Sequence, residues 1–476
     1  MASRDGALAR AARHFDDRSE GGFRALLARL VAIPSTSQEA AHAPDLDRYL
    51  RTGIAPWIER LGFAWRIHPN PVDGLGPILT AERIEAPGAP TVLLYGHGDT
   101  VRGLDEQWRA GLSPWRLTEE GDRLYGRGTA DNKGQHALNL AALEAVLAER
   151  GGRLGANVKL VIETAEERGS GGLREFVAAN RDLLAADALI ASDGPRVSPA
   201  VPTITTGSRG TYHFDLAVRL RAGGVHSGHW GGLTADPAIL LAHALASMAD
   251  GNGRLLVRDL LPARLPEAVR AALAGCAVEP GGEAAAIEPG WGEPGLTAAE
   301  KLYGWNALIV LSLLSGRPEN PVNAVAPDAV AHCQIRYTVD TDPAGFEAAL
   351  RRHLDRHGLE RVRIENAGVR MNASRTAPDH PWVSWARASM TRSLGRPGAA
   401  SAGPAVRVIP NSSGGLPGDV FAEHLGVPLV WVPHGHNGCR QHGPDEHLLA
   451  GTAREGILAF AGLWWDLGEP GTPGHE

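Results

Sequence analysis

Val158-Lys159-Leu160-Val161-Ile162-Glu163-Thr164-Ala165-Glu166-Glu167-Arg168-Gly169-Ser170-Gly171-Gly172 is a short apolar run that breaks into an acidic, glycine-rich turn. The run reads as a buried strand, and the turn sets two acids side by side where it ends. Adjacent carboxylates in such a place can divide a task. One binds a metal while the other faces the same cavity as a proton acceptor, the arrangement a hydrolase built on metal-activated water needs. In isolation an acidic doublet is simply a solvated turn, so the rest of the chain decides its meaning.

Outward from this run, apolar segments alternate with helical patterns: Thr91 to Tyr95, Gln135 to Ala148, Leu173 to Ala179 and Ala188 to Ala191. Continuous apolar strands separated by amphipathic helices imply an α/β layer sandwich, its sheet buried on both faces and its functional loops at strand ends. The pattern changes near residue 208. Tyr212 to Leu220 and Val330 to Val339 alternate apolar with polar residues, and Pro237 to Met248 and Phe346 to His357 read as helices. These describe an α+β module with one covered sheet face, interrupted by a Pro/Gly/Ala-rich stretch, Pro262 to Leu296, read as loop and short helix. The α/β pattern resumes after residue 375, with Val427 to Val432 as a strand and Ala453 to Leu467 as a closing helix. The expected organisation is a catalytic domain in two parts, 1–208 and 376–476, with an inserted module at 209–375.

A chain of 476 residues with a formal charge of −7 is large enough for two cores and lacks a basic stripe for nucleic acid. No run approaches the roughly 18 apolar residues of a spanning helix, so neither nucleic acid nor membrane is an expected partner. Cys276, Cys333 and Cys439 are too few and scattered for a disulfide framework, which fits a cytoplasmic location.

Other strand ends carry similar chemistry. Gly96-His97-Gly98-Asp99 places a histidine and an acid two residues apart, so that both project to one side and the acid can accept the second ring N–H of a ligating imidazole. Asp131 lies in Gly126-Arg127-Gly128-Thr129-Ala130-Asp131-Asn132-Lys133-Gly134, just before a helix, and Asp193 follows the Ala188 to Ala191 run. The segment from Pro433 to His447 holds His434, His436, His442 and His447, and its spacing matches no helical zinc signature, leaving open which of them is a ligand. In order, His97, Asp131, Glu166-Glu167, Asp193 and a C-terminal histidine supply ligands for two divalent ions with one shared carboxylate.

In this order the motifs L-L-Y-G-H-G-D-T, L-Y-G-R-G-T-A-D-N-K-G, E-E-R-G-S-G-G, S-D-G-P and V-H-S-G-H-W-G-G resemble the co-catalytic metallopeptidases. That family includes carnosinases and cytosolic dipeptidases, glutamate carboxypeptidases, aminoacylases and succinyl-diaminopimelate desuccinylase, and the carnosinase-like branch is most similar. The resemblance implies a phosphorylase/hydrolase-like three-layer α/β/α catalytic domain with an inserted ferredoxin-like α+β lid and dimerisation domain. It implies one metal on His97, Asp131 and Asp193 and a second on Asp131, Glu167 and His442, with His434 and His436 as rivals to His442. The metals would be zinc first, manganese or cobalt otherwise.

Asp99 would orient His97, and Glu166 would act as general base. His226 would stabilise the developing oxyanion, in cis or from a partner subunit. Asn323, Arg336, Gly414 and Gly415 would hold the substrate's carboxylate end. The implied activity is hydrolysis of dipeptides or similar small amides by a homodimer. The alternatives are deacylation of N-acyl or N-succinyl amino acids, or another specialised C–N amidohydrolase reaction, and, more distantly, a non-catalytic metal-binding role. A cis Asp131–Asn132 peptide bond is also expected. Two departures stand out: Asn132 replaces an acid carried by many carnosinase-like members, and the final motif reads H-G-P-D-E-H.

Overall fold

A computed structural model describes residues 2–279, 286–395 and 405–474. The chain divides into two compact units, one comprising Met1–Gly207, Gly275–Ala285 and Arg375–Glu476, the other Ser208–Ala274 and Ala286–Ser374. In chain order the first unit supplies strands β1 (Ala64–His68), β2 (Ile78–Arg83), β3 (Thr91–His97), β4 (Asn157–Glu163), β5 (Ala188–Ala191) and β6 (Thr203–Thr205). The second unit carries β7 (Gly210–Arg219), β8 (Ala307–Ser315), β9 (Asp328–Tyr337) and β10 (Arg363–Met371). The chain then returns to the first unit with β11 (Arg407–Ile409) and β12 (Leu429–Trp431). The principal helices are α1 (Arg4–Asp16), α2 (Phe23–Val31), α3 (Lys133–Glu149), α4 (Leu173–Ala179), α5 (Pro237–Met248), α6 (Phe346–Arg356), α7 (Pro381–Leu394) and α8 (Ala450–Leu467).

The first unit is built on an eight-stranded sheet in the order β1-β2-β4-β3-β5-β12-β6-β11. Its four central strands β4, β3, β5 and β12 are parallel, so their carboxyl ends share one edge. Strand alternation sorts the apolar side chains between two layers. Val92, Leu94, Leu160, Ile190 and Val430 pack with α1, α3 and α8 on one face. Leu93, Tyr95, Val161, Leu189 and Trp431 pack with Leu173, Phe176 and Phe421 on the other. A sheet covered twice is why these strands read as unbroken apolar runs.

Helix α3 departs from the amphipathic pattern expected of it: fourteen of its seventeen residues are buried. The sheet lies on one side of it and α1, α2 and α8 on the other, so almost no face is left for solvent.

The second unit is a βαββαβ fold, β7-α5-β8-β9-α6-β10, with strand order β8-β9-β7-β10, all neighbours antiparallel. Along β9, Ala329, Ala331, Cys333, Ile335 and Tyr337 are buried while His332, Gln334 and Arg336 occupy the opposite face. Within Pro262 to Leu296 the only regular element among the described residues is the helix Glu267–Leu273; residues 280–285 lie outside them. The sequence reading names no strand at β8. Its Ala-Leu-Ile-Val-Leu-Ser-Leu-Leu-Ser run has no period of two, because this edge strand leaves apolar side chains uncovered on both faces.

Candidate metal centre

His97 ends β3 between two glycines that are sterically required. A Cβ on Gly96 would lie 2.7 Å from the Cβ of His136, and one on Gly98 only 2.4 Å from Cδ1 of Tyr49. The imidazole is fully buried, and its Nε2 lies 3.0 Å from Asp131 Oδ1 and 3.7 Å from Asp193 Oδ2. On its other side Nδ1 is 3.4 Å from Asp99 Oδ1 and donates to the Asp99 carbonyl at 3.1 Å. That contact fixes the tautomer and leaves Nε2 free to ligate.

Asp131 precedes α3, and the Asp131–Asn132 peptide bond is cis, as expected. Its Oδ2 lies 3.3 Å from His442 Nε2, which in turn is 3.1 Å from Glu167 Oε2. Two ligand sets result, His97–Asp131–Asp193 and Asp131–Glu167–His442, with the donor atoms of each within 4.8 Å of one another. Asp131 belongs to both. Glu166 belongs to neither, yet its Oε2 approaches His97 Nε2 at 4.0 Å. The acidic turn is held from beneath: the Asp99 carboxylate accepts from the backbone N–H groups of Glu166 (3.2 Å) and Glu167 (3.1 Å) and from Ser37 Oγ (2.6 Å).

The electrostatics show a surplus of buried negative charge. Burial raises Glu167 to about 7, and the Asp131 charge adds to the effect. Burial and Asp131 likewise raise Asp193 to about 7. Burial, reinforced by Glu167, Asp193 and Asp131 and opposed by His97, pushes Glu166 well above the carboxylate range. Burial opposes ionisation of Asp131 too, but hydrogen bonds from His442 and His97 outweigh it and hold its carboxyl well down. Hydrogen bonds to Asp131 and Glu167 push His442 up to about 11.

Four carboxylates crowded out of water, with Glu167 Oε1 buried and meeting no donor among the described residues, fit divalent cations. The imidazole and carboxylate donors suit zinc, manganese or cobalt.

Neither rival histidine falls in either ligand set. His434 is buried with its Nε2 2.9 Å from Asn139 Oδ1 and 3.1 Å from Ser192 Oγ, and burial holds it well below its usual pKa. His436 packs edge-on against His447 and is lowered by burial to about 4.

Asn132 earns its amide. Its Nδ2 donates to the Ser192 carbonyl at 2.8 Å while its Oδ1 accepts from His136 Nδ1 at 2.9 Å, a donor-and-acceptor pairing that an ionised carboxylate cannot supply.

The remaining sequence candidates fall in two places. Gly414 and Gly415 lie in the first unit, in a loop whose Ser412 Oγ would be 3.7 Å from a Cβ on Gly194, next to Asp193. His226, Asn323 and Arg336 belong to the second unit. His226 is exposed, accepts from the Gly228 N–H and stacks on His229 at 4.3 Å; its strand pairs with Ala324–Val325, next to Asn323. Arg336 is half-buried, donating from Nε to Gln334 Oε1 and from Nη1 to Thr211 Oγ1, each at 3.0 Å.

Sequence reasoning assigned no task to Ser37, Glu163 or Glu446. Glu163 accepts from Tyr95 Oη at 2.7 Å and Ser170 Oγ at 2.9 Å, bracing the acidic turn from behind. Ser37 stands in an unremarkable Ser-Thr-Ser stretch and gives no signal. Glu446, inside the H-G-P-D-E-H run, was visible as an acid among histidines, but its contacts are long-range.

Two ligand sets joined through one carboxylate, with a spare acid beside them at the carboxyl edge of an α/β sheet, are the arrangement of a dinuclear metallohydrolase site. The chain belongs to Peptidase family M20/M25/M40, whose sequence profile matches residues 93–466. It is similar to the cysteinylglycine-S-conjugate dipeptidase of Corynebacterium striatum, with 35% identity over 236 residues, 49% of this chain and 50% of that protein. It is also similar to the Beta-Ala-His dipeptidase of Mus musculus, with 33% identity over 274 residues, 53% of each. The chain thus spans about half the length of these curated relatives. The crystal structure of human carnosine dipeptidase 1 shares the fold, with a TM-score of 0.76 at 22% identity over 98% of both chains.

Proposed function

We propose that this protein hydrolyses the amide bond of dipeptides or similar small amides bearing a free carboxylate. The observation that carries the reading is the pair of ligand sets sharing Asp131, with the non-ligand Glu166 beside them. Two divalent ions bound there, zinc foremost, would lower the pKa of water and polarise the scissile carbonyl. Glu166 then receives the proton from the attacking water and returns it to the leaving amine. Burial raises its pKa above the ordinary carboxylate value, which favours taking up the proton that it later returns. Asp99 keeps His97 in its ligating tautomer. For the substrate's carboxylate end we assign Arg336 and Asn323 in the second unit and the backbone of Gly414 and Gly415 in the first, and for the developing oxyanion His226, in cis or from a partner subunit.

The second unit acts as lid and dimerisation module in this reading. Strand β8 lies at the edge of its sheet with Val310, Leu311, Leu313 and Leu314 between 45% and 57% exposed. An apolar edge strand of this kind is a template for pairing, and a second copy of the chain is the occupant we assign to it. The three cysteines are all unpaired, which fits the cytoplasmic site of action we assign, and among the described residues no helix is long and apolar enough to cross a membrane.

Activity profiling of the zinc-reconstituted protein across dipeptides and N-acyl amino acids tests the reading. Chelator-sensitive dipeptide hydrolysis is expected. Inactivity on every dipeptide with turnover of acylated amino acids would transfer the same site to a deacylase.

A further inference from the structure

Glu446 is fully buried, four residues beyond His442, and its carboxylate faces the loop that carries Asp131. Its Oε1 accepts backbone N–H bonds from Gly128 (3.1 Å), Ala130 (3.0 Å) and Asp131 itself (3.0 Å). Its Oε2 accepts from the Gly128 N–H at 3.1 Å and from Arg127 Nη1, also buried, at 2.8 Å. The Glu446 carbonyl accepts from the Gly126 N–H at 3.0 Å, closing the clip along the main chain. Converging backbone N–H groups of this kind cradle an anion, and here the anion belongs to the protein.

The segment on the other side of the clip is conformationally unusual. Arg440, His442 and Asp445 have φ of +56°, +63° and +57°, three non-glycine residues in the left-handed region within six positions. Such a backbone persists only where its surroundings over-determine it. Asp445 contributes by accepting from the Arg109 N–H at 2.9 Å, but Glu446 alone in this segment bonds the main chain of the residue shared by both ligand sets.

We infer that Glu446 is a positioning residue for the second metal: it locks the Asp131 loop to the His442 loop, setting the spacing of Asp131, Glu167 and His442. It parallels Asp99, whose carboxylate holds the Glu166–Glu167 backbone by the same device. This rests on the two-metal reading above and adds the residue that makes the second position tight.

The test is Zn²⁺ binding by the chelator-stripped full-length protein in equilibrium dialysis, with metal counted by elemental analysis and near-ultraviolet circular dichroism reporting the fold. Wild-type protein should hold two equivalents. Glu446→Gln should keep one and bind the second about 10- to 100-fold more weakly, the usual effect of losing a group that orients a ligand. A glutamine cannot accept on both sides at once, so it releases either the loop or Arg127. Where that variant does not fold, Arg127→Met/Glu446→Leu decides, because it exchanges the buried ion pair for apolar bulk and gives the loop no acceptor. Adding His442→Ala should cost less affinity in the folded variant than in wild-type protein, as two changes acting on one site are non-additive. A folded variant that binds its second equivalent with wild-type affinity overturns the inference, whatever its melting temperature. Wild-type protein that holds fewer than two equivalents overturns instead the two-metal reading on which it rests.

Discussion

The carboxyl edge of the first unit's sheet and the outer strand of the second are each unsatisfied within one chain, in opposite ways. At the first, Asp131, Glu166, Glu167 and Asp193 crowd like charges into a space shielded from water. At the second, β8 leaves Leu311, Leu313 and Leu314 in contact with it. A charge deficit is met by a small ion at fixed geometry, so single atoms decide whether it is met. An apolar deficit is met by area, and tolerates exchange of any one side chain of similar bulk. The two edges should therefore respond very differently to substitution.

The largest expected effect is at the charged edge. Glu166→Gln should lose about 10²- to 10⁴-fold in turnover while its metal content stays at the wild-type value. Retained activity would remove the base from the mechanism, and lost metal would make Glu166 a ligand. Next, Arg336→Met should raise KM for a carboxylate-bearing dipeptide roughly 10- to 100-fold, the value of a charge-assisted hydrogen bond, with kcat less affected. An unchanged KM would leave Arg336 as part of the open sheet face only.

The charge deficit also has a pH signature in metal-free protein. Glu167 and Asp193 are raised to about 7 in the fold, and His442 to about 11, so the folded state holds protons that the unfolded chain has released. Stability contributed in this way is lost as pH rises through the folded values, and the melting temperature should fall between pH 7 and 8.5. Lys133, lowered by burial to about 7, works in the opposite direction in this window, and buried neutral histidines such as His136 and His434 do so mainly below pH 6.5; both cancel when metal-free and zinc-loaded protein are compared. Zinc should flatten the slope; parallel curves would show that no charge deficit is being neutralised. The smallest effect on stability belongs to the apolar edge. Leu313→Lys should alter the stability of the fold by only about 0.5 kcal/mol. The same change should convert the proposed dimer to monomer in sedimentation velocity, and a wild-type protein that is already monomeric would break the comparison outright.

The legible parts of the chain were those governed by local pattern. The buried strands β3, β4 and β5 declared themselves as apolar runs because helices cover both of their faces, and helix α5 begins and ends where its sequence predicts. Five of the six metal-site candidates lie at or beside strand or helix ends, where turn residues mark the change of element; His442 lies within the turn between Cys439 and His447, where local spacing left the ligand open. Strand β8 was missed because exposure on both faces erases the alternation that identifies a strand. Glu446 was missed for a different reason: its partners lie more than 300 residues away in sequence, and nothing local separates a carboxylate that cradles main-chain N–H groups from one in a surface turn.

Helix α3 starts immediately after the shared carboxylate and has almost no solvent face. Its enclosure ties Asp131 to helices α1, α2 and α8, which contribute no member of either ligand set. Variation in this protein is consequently constrained far from its chemistry: an added methylene at Ala137 or Ala141 would displace the helix that follows the shared Asp131. Libraries aimed at new substrates should leave this helix untouched and vary instead the Ser413–Leu416 loop and the open face of β9.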